Sequence, residues 1–155
     1  MSASDTWVND AIVMRDLGRI PVDVAGAHRK LIDAQSNADG GRLVQDVSPS
    51  LAIAACHDAA RKAVTAHMAA RGLRPRKGEG AHRIVLEYAR SVLAESIDAS
   101  DLRALDDLRR DRADAEYGET SGPMSGAQLR AAADVADCII NAVRSLLPPE
   151  SPQPP

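Results

Sequence analysis

Apolar residues recur along this chain at three- and four-residue steps, the spacing of one face of an α-helix. A short helix is predicted from about Ser4 to Asp16, with Ser4 or Asp5 as cap and Val8, Ile12 and Val13 as its apolar face; Gly18 and Pro21 punctuate it. Asp23 to Ala38 reads as a second helix with Val24, Ala27, Leu31 and Ala34 on one stripe, broken at Asn37-Ala38-Asp39-Gly40-Gly41. The pattern makes no assignment from Arg42 to Val47. The clearest helix starts at Pro49, a favourable first helical residue after Ser48, and runs to Arg71 before Gly72. Along it Ala52, Ala55, Cys56, Ala59, Ala63, Ala66 and Ala70 form a stripe of small side chains suited to close helix–helix contact. After a loop from Gly72 to Gly80, a helix from about Ala81 to Ser96 points Ile84, Val85, Tyr88 and Val92 inward. The next, capped by Asp98 or Ser100, carries Leu102, Leu105 and Leu108 to about Tyr117. Ser125-Gly126-Ala127-Gln128 has the form of a capping box and opens a last helix with Ala132, Val135, Ala136, Ile139, Ala142, Val143 and Leu146 inward. Pro148 and Pro149 end it. No run of alternating β-branched residues predicts a strand, so the fold class is all-α.

The composition agrees with packed helices. Of 155 residues, 45% are apolar, yet Phe is absent and Trp and the two Tyr are the only aromatics, so the core must be built from Ala, Leu, Ile and Val. The length suits one helical domain over residues 1–147, with 148–155 as a Pro-rich, extended and disordered tail. A net charge of −3 argues against a broad electrostatic grip on nucleic acid and leaves room only for a local site. No stretch approaches the roughly 20 apolar residues that cross a bilayer. The polar, acidic start, Met1-Ser2-Ala3-Ser4-Asp5, is unlike a signal peptide, which makes the cytoplasm the expected compartment.

Few residues point to chemistry. Cys56 and Cys138 are far apart, lack ligand partners and read as small buried apolar residues. His57 and His67 lie ten residues apart and no His-x-x-x-His or Cys/His cluster occurs, so no metal and no cofactor are expected. The glycines at Gly40-Gly41 and Gly78-Glu79-Gly80 follow no strand and lack the Lys-Ser/Thr of a phosphate loop. The most basic stretch holds Arg71, Arg74, Arg76, Lys77 and Arg83, with His82 beside them and Glu79 as the one acid. It reads either as a guide for a nucleic-acid phosphate or as a solvated loop complementing the carbonyl end of the preceding helix.

One helix carries a motif: Leu108-Arg109-Arg110-Asp111-Arg112-Ala113-Asp114-Ala115-Glu116-Tyr117-Gly118. Arg110 and Tyr117 are two turns apart on one face, where a guanidinium fork and a phenol could hold a phosphate. The same stretch also reads as an ordinary solvated helix, since Arg110–Asp114 and Arg112–Glu116 are four-residue charge pairs. It resembles the signature helix of the HEPN superfamily (higher eukaryotes and prokaryotes nucleotide-binding domain), in which an Arg and a polar residue are followed by a His and, in one variant, a Tyr. Arg110, Asp111 and Tyr117 match; Ala115 stands where the His belongs. The Ala52–Ala70 stripe, the Gly80-Ala81-His82-Arg83 helix entry and the apolar closing helix extend the resemblance over about two-thirds of the chain.

The resemblance implies a helical bundle of about five helices with a short extra N-terminal helix. It further implies a homodimer whose helices meet at the Arg, and an RNA-binding protein or weak metal-independent endoribonuclease of a defence or toxin–antitoxin system. In that setting Arg110 binds phosphate, Asp111 orients it, Tyr117 contacts phosphate or transfers a proton, and Arg74, Arg76, Lys77, His82, Arg83 and Arg112 hold RNA. Ala115 can neither donate nor accept a proton, which removes the family's usual acid–base group. The alternative is a non-catalytic helical module for protein partners, with a nucleotidyltransferase as the first candidate and Tyr117 as the acceptor it would modify.

Overall fold

The structure, a computed structural model, describes residues 1–117 and 124–152, with side chains described through Ala113 and again from Met124. Six helices and two short strands follow one another among these residues. Helix α1 (Ala3–Val13) is capped by Ser2, not by Ser4 or Asp5, and ends before the expected Asp16: the Ser2 hydroxyl accepts from the Asp5 amide at 3.1 Å while the Asp5 carboxylate accepts from the Ser2 amide. Helix α2 (Val24–Val44) is capped by Asp23, whose Oδ1 accepts from the Gly26 amide at 2.8 Å. It does not break at Asn37–Gly41 as expected. Gly41 is buried against the next helix, and there the missing side chain serves closeness instead of a turn.

Helix α3 (Pro49–Ala70) matches its prediction. The chain then reverses at Gly72 (φ +69°), where an added Cβ would stand 2.8 Å from the Ile20 carbonyl oxygen. Two three-residue strands, β1 (Leu17–Arg19) and β2 (Leu73–Pro75), pair antiparallel with Leu17 opposite Pro75 and Gly18 opposite Arg74. This small sheet was not foreseen. Three residues cannot display an alternation, and what holds the strands is tertiary: Leu17 and Leu73 are buried, and flanking bonds run from the Arg76 amide to the Asp16 carbonyl and from the Ile20 amide to the Gly72 carbonyl. Helix α4 (Ala81–Val92) ends one turn before Ser96 because the chain turns to bury Leu93 and Ile97. Helix α5 (Ala99–Tyr117) and α6 (Gly126–Leu146) complete the bundle, the latter opened by the anticipated Ser125/Gln128 capping box.

Helix α3 lies at the centre, packed against α2, α4, α5 and α6. Its alanines Ala59, Ala63 and Ala66 are wholly buried and face Ala27, Ala34 and Ala38 among the buried residues of α2. The main core gathers these with Ile84, Tyr88, Ile139, Ile140 and Val143; a second cluster, Ala52, Ile53, Cys56, Leu108, Leu129 and Ala133, seals the end where α3 begins. Tyr88, fully buried, is held at 2.9 Å by His67 Nδ1 and meets Trp7 edge-on.

Three expected inward residues are not inward: Val13 is 79% and Leu146 40% exposed, and Cys138 is also at the surface. In α1 the core face is instead Val8 with Ala11, and in the last turn Leu147 takes the buried place. Cys56 is buried as expected, and burial pushes its thiol up to about 11. Past α6 the Pro148 carbonyl oxygen lies 2.8 Å from His28 Nε2. Among the described residues no helix is long and apolar enough to cross a membrane.

Candidate functional site

Helix α5 presents two different charged faces. On one, Arg110 is 60% exposed and bonded to Asp106 at 2.6 Å, with Asp107 at 3.6 Å. Its guanidinium is occupied by carboxylates three and four residues back along its own helix. Asp106 also takes Arg109, at 3.1 Å, and Arg90 of α4, at 3.3 Å. Burial pushes the Asp106 carboxyl up, but hydrogen bonds from Arg110 and Arg109 outweigh it and hold the group below the ordinary carboxylate value. The described part of the motif helix thus has the character of a charge-paired helix that clips α4 to α5. Asp111 lies with Asp107, Leu108 and Gln128 along the α5–α6 groove and adds to the negative field on Arg110. Tyr117 ends α5, and its side chain and those of Asp114, Ala115 and Glu116 lie outside the described residues.

The predicted basic residues separate into two places. Arg74, Arg76 and Lys77 gather at the sheet, where with Arg15, Leu17, Gly18 and Pro75 they line an open cleft of about 420 Å³. Arg76 pairs with Asp16 at 3.3 Å, so it serves the sheet. Among the described residues Arg15, Arg74 and Lys77 make no ion pair and are exposed. The Arg74 side chain lies across Gly18 of β1, within ordinary contact distance of where a Cβ would stand. Arg15 holds φ +62°, a left-handed conformation uncommon outside Gly, Asn and Asp, which swings its side chain into this cleft after α1 ends. Arg83 pairs with Glu87 on its own helix.

His82 and Arg112 lie near one another, together with His57, read from sequence only as half of an absent metal pair, and with Asp58 and Arg61, which the sequence reading did not single out. His82, exposed on the first turn of α4, stacks on the buried His57 of α3, with ring centroids 5.4 Å apart and planes 14° from parallel. His57 is 4% exposed and its Nδ1 has no hydrogen-bond partner. Burial, then the charges of Arg112 and His82, depress His57 to about 4. His82 is lowered as well, first by burial and then by Arg61 and Arg112, with Arg109 adding to the effect. Asp58 opposes the shift at both rings and forms an ion pair with Arg61 Nε at 3.7 Å, too long for a hydrogen bond, so that buried Nε makes none. Arg112 makes no ion pair among the described residues.

The α4 start above this cluster is open. Its cap is Gly80 at φ +83°, which offers no side chain, and the amides of His82 and Arg83 have no hydrogen-bond partner among the described residues. Both imidazoles, one of them on the first turn of α4, thus lie within the field of Arg61 and Arg112. The signal for His57 was present as a polar residue inside an apolar helix, but its partner lies in another element, and ten-residue spacing to His67 tests only for a shared ligand.

No known protein family, characterised protein or solved structure matches this chain.

Proposed function

We propose that this protein binds RNA, in the manner of a HEPN-like protein whose signature helix has lost its proton-transfer group at Ala115. The observation that carries the reading is the pairing of two cationic places at the ends of one short segment. Arg74 and Lys77, without ion pairs among the described residues, line the cleft with Arg15 where β2 ends, and His82 lies within the field of Arg112 where α4 begins. Phosphates spaced along a single strand suit such separated cations, which position the backbone without reading its bases. The remainder of the surface is acidic on balance, so binding is local and salt-sensitive.

Fluorescence anisotropy with a single-stranded RNA oligonucleotide across a salt series checks this. Arg74→Ala/Lys77→Ala is expected to weaken binding and to flatten the log–log salt slope by about 0.7 for each lost phosphate contact. An unchanged slope, or no binding by the wild type, retires the reading. In its nuclease form the proposal assigns phosphate binding to Arg110, its orientation to Asp111, and phosphate contact or proton transfer to Tyr117, across a homodimer. Total RNA incubated with wild type and with Arg110→Ala decides that form. Cleavage abolished in the variant supports it, and equal backgrounds leave binding alone.

A second reading has one observation in its favour. Leu43, Val47 and Leu51 are 83%, 85% and 56% exposed and cluster in sequence around the α2–α3 corner, an apolar surface suited to a protein partner. A nucleotidyltransferase acting on Tyr117 would be such a partner; covalent nucleotidylation detected by mass spectrometry, and lost in Tyr117→Phe, would favour it over RNA.

A further inference from the structure

We propose that the basic cleft beside the two-stranded sheet is a site for a chain of linked phosphates, the 5′-triphosphate end of an RNA. The inference rests on the RNA reading for the source of those phosphates, while the cleft's own chemistry is tested separately with inorganic tripolyphosphate.

The cleft concentrates positive charge. Arg15, Arg74, Arg76 and Lys77 line one cavity of about 420 Å³, and all four are exposed. Among the described residues the only acid paired with any of them is Asp16, held by Arg76 at 3.3 Å. One charge is thus offset, and Arg15, Arg74 and Lys77 are left uncompensated around a single cavity. An internal phosphodiester brings one negative charge, and the next lies a nucleotide away. A triphosphate carries several on adjacent phosphorus atoms, which matches cations gathered this closely. The remainder of the lining, Leu17, Gly18 and Pro75, offers no aromatic face on which a base could stack, so recognition falls on the phosphates.

Arg15 is the second observation. Helix α1 ends in a Schellman turn, in which the Asp16 amide donates to the Ala11 carbonyl at 2.9 Å and the Arg15 amide to the Ile12 carbonyl at 3.0 Å. The turn sets the residue after the Met14 cap at φ +62°, a place usually given to Gly because a side chain there is strained. Arg15 makes no side-chain hydrogen bond or ion pair among the described residues, so the fold gains nothing from it in return. What its side chain supplies is a further cation in the cleft.

Fluorescence anisotropy on one RNA sequence, labelled at its 3′ end, compares a 5′-triphosphate with a 5′-hydroxyl. The triphosphate is expected to bind about tenfold tighter, the worth of one charge-assisted bond, and inorganic tripolyphosphate to displace it where orthophosphate at the same ionic strength does not. Arg15→Gly removes a cation and suits the backbone at that position. It is expected to keep or raise the Tm while losing most of the preference for the triphosphate end, a split that a purely structural arginine would not produce. Arg74→Ala/Lys77→Ala is expected to lose the preference as well. Arg103→Gln, which removes one positive charge from the exposed side of α5, is expected to retain it. A preference that survives either cleft variant, or that falls equally in Arg103→Gln, overturns the site. Equal affinity for the two RNA ends also overturns it and spares the RNA reading. Calorimetry with tripolyphosphate alone separates the reverse case: heat of binding that vanishes in the cleft variants, with neither RNA bound, supports the linked-phosphate site and retires RNA as its source.

Discussion

Acidification from pH 7 toward 4 is expected to strip this protein of several kcal/mol of stability. His57 and His67 each titrate near 4 in the folded chain against 6.5 as free groups, principally because burial disfavours the charged ring. A histidine depressed in this way binds fewer protons folded than unfolded. The stability present above pH 6.5 is therefore lost as the pH falls through that window toward 4. At about 1.4 kcal/mol per pH unit for one group, each histidine accounts for roughly 3 kcal/mol across the whole interval. For a domain whose entire stability is on the order of 5–15 kcal/mol, that is a large share. Urea midpoints measured from pH 7.5 to 4.5 should fall steadily below pH 6.5. His67→Gln, which keeps a donor for Tyr88 and removes one titration, should flatten about half of the slope. A midpoint that stays constant between pH 7 and 5 would contradict the burial of both rings.

Neighbouring glycines of α2 are expected to respond to substitution with opposite sign. At Gly40 nothing stands within 4 Å of an added Cβ, so Gly40→Ala should stabilise by about 0.5–1 kcal/mol through helix propensity. At Gly41 a Cβ would meet Cys56 Sγ at 3.0 Å and the Ala52 carbonyl at 3.2 Å. Gly41→Leu must therefore part α2 from α3 or displace the backbone, and should cost about 3 kcal/mol, at the upper end of overpacked cores. Thermal denaturation of both variants beside wild type reads the difference directly. Similar effects at the two positions would mean that α2 does not lie on α3 as described.

These glycines also mark where sequence reasoning stops. Ala52 through Ala70 announced their helix because the signal, small residues at helical steps, is local and long. Ser125 and Gln128 announced their capping box for the same reason. Gly40-Gly41 gave the opposite message: two adjacent glycines look like a turn unless the facing helix is known, and only Cys56 and Ala52 explain why a side chain is missing. The strands at Leu17 and Leu73 were unreadable because their stability comes from each other. In α5, the spacing puts Asp107 on the stripe of Arg110, but the shorter contact is to Asp106, four residues back, which the sequence reading did not single out. The meeting of His57 and His82 across 25 positions left no trace in any periodicity.

The fit of Cys56 against Gly41 gives the two thiols of this chain separate clocks. A reagent reaches Cys138 at once, whereas Cys56 sits where the neighbouring helix has no side chain to yield, so any group added to its sulfur requires the α2–α3 pair to part first. The slower modification thus counts how often the central pair opens, and the faster one calibrates the reagent within the same molecule.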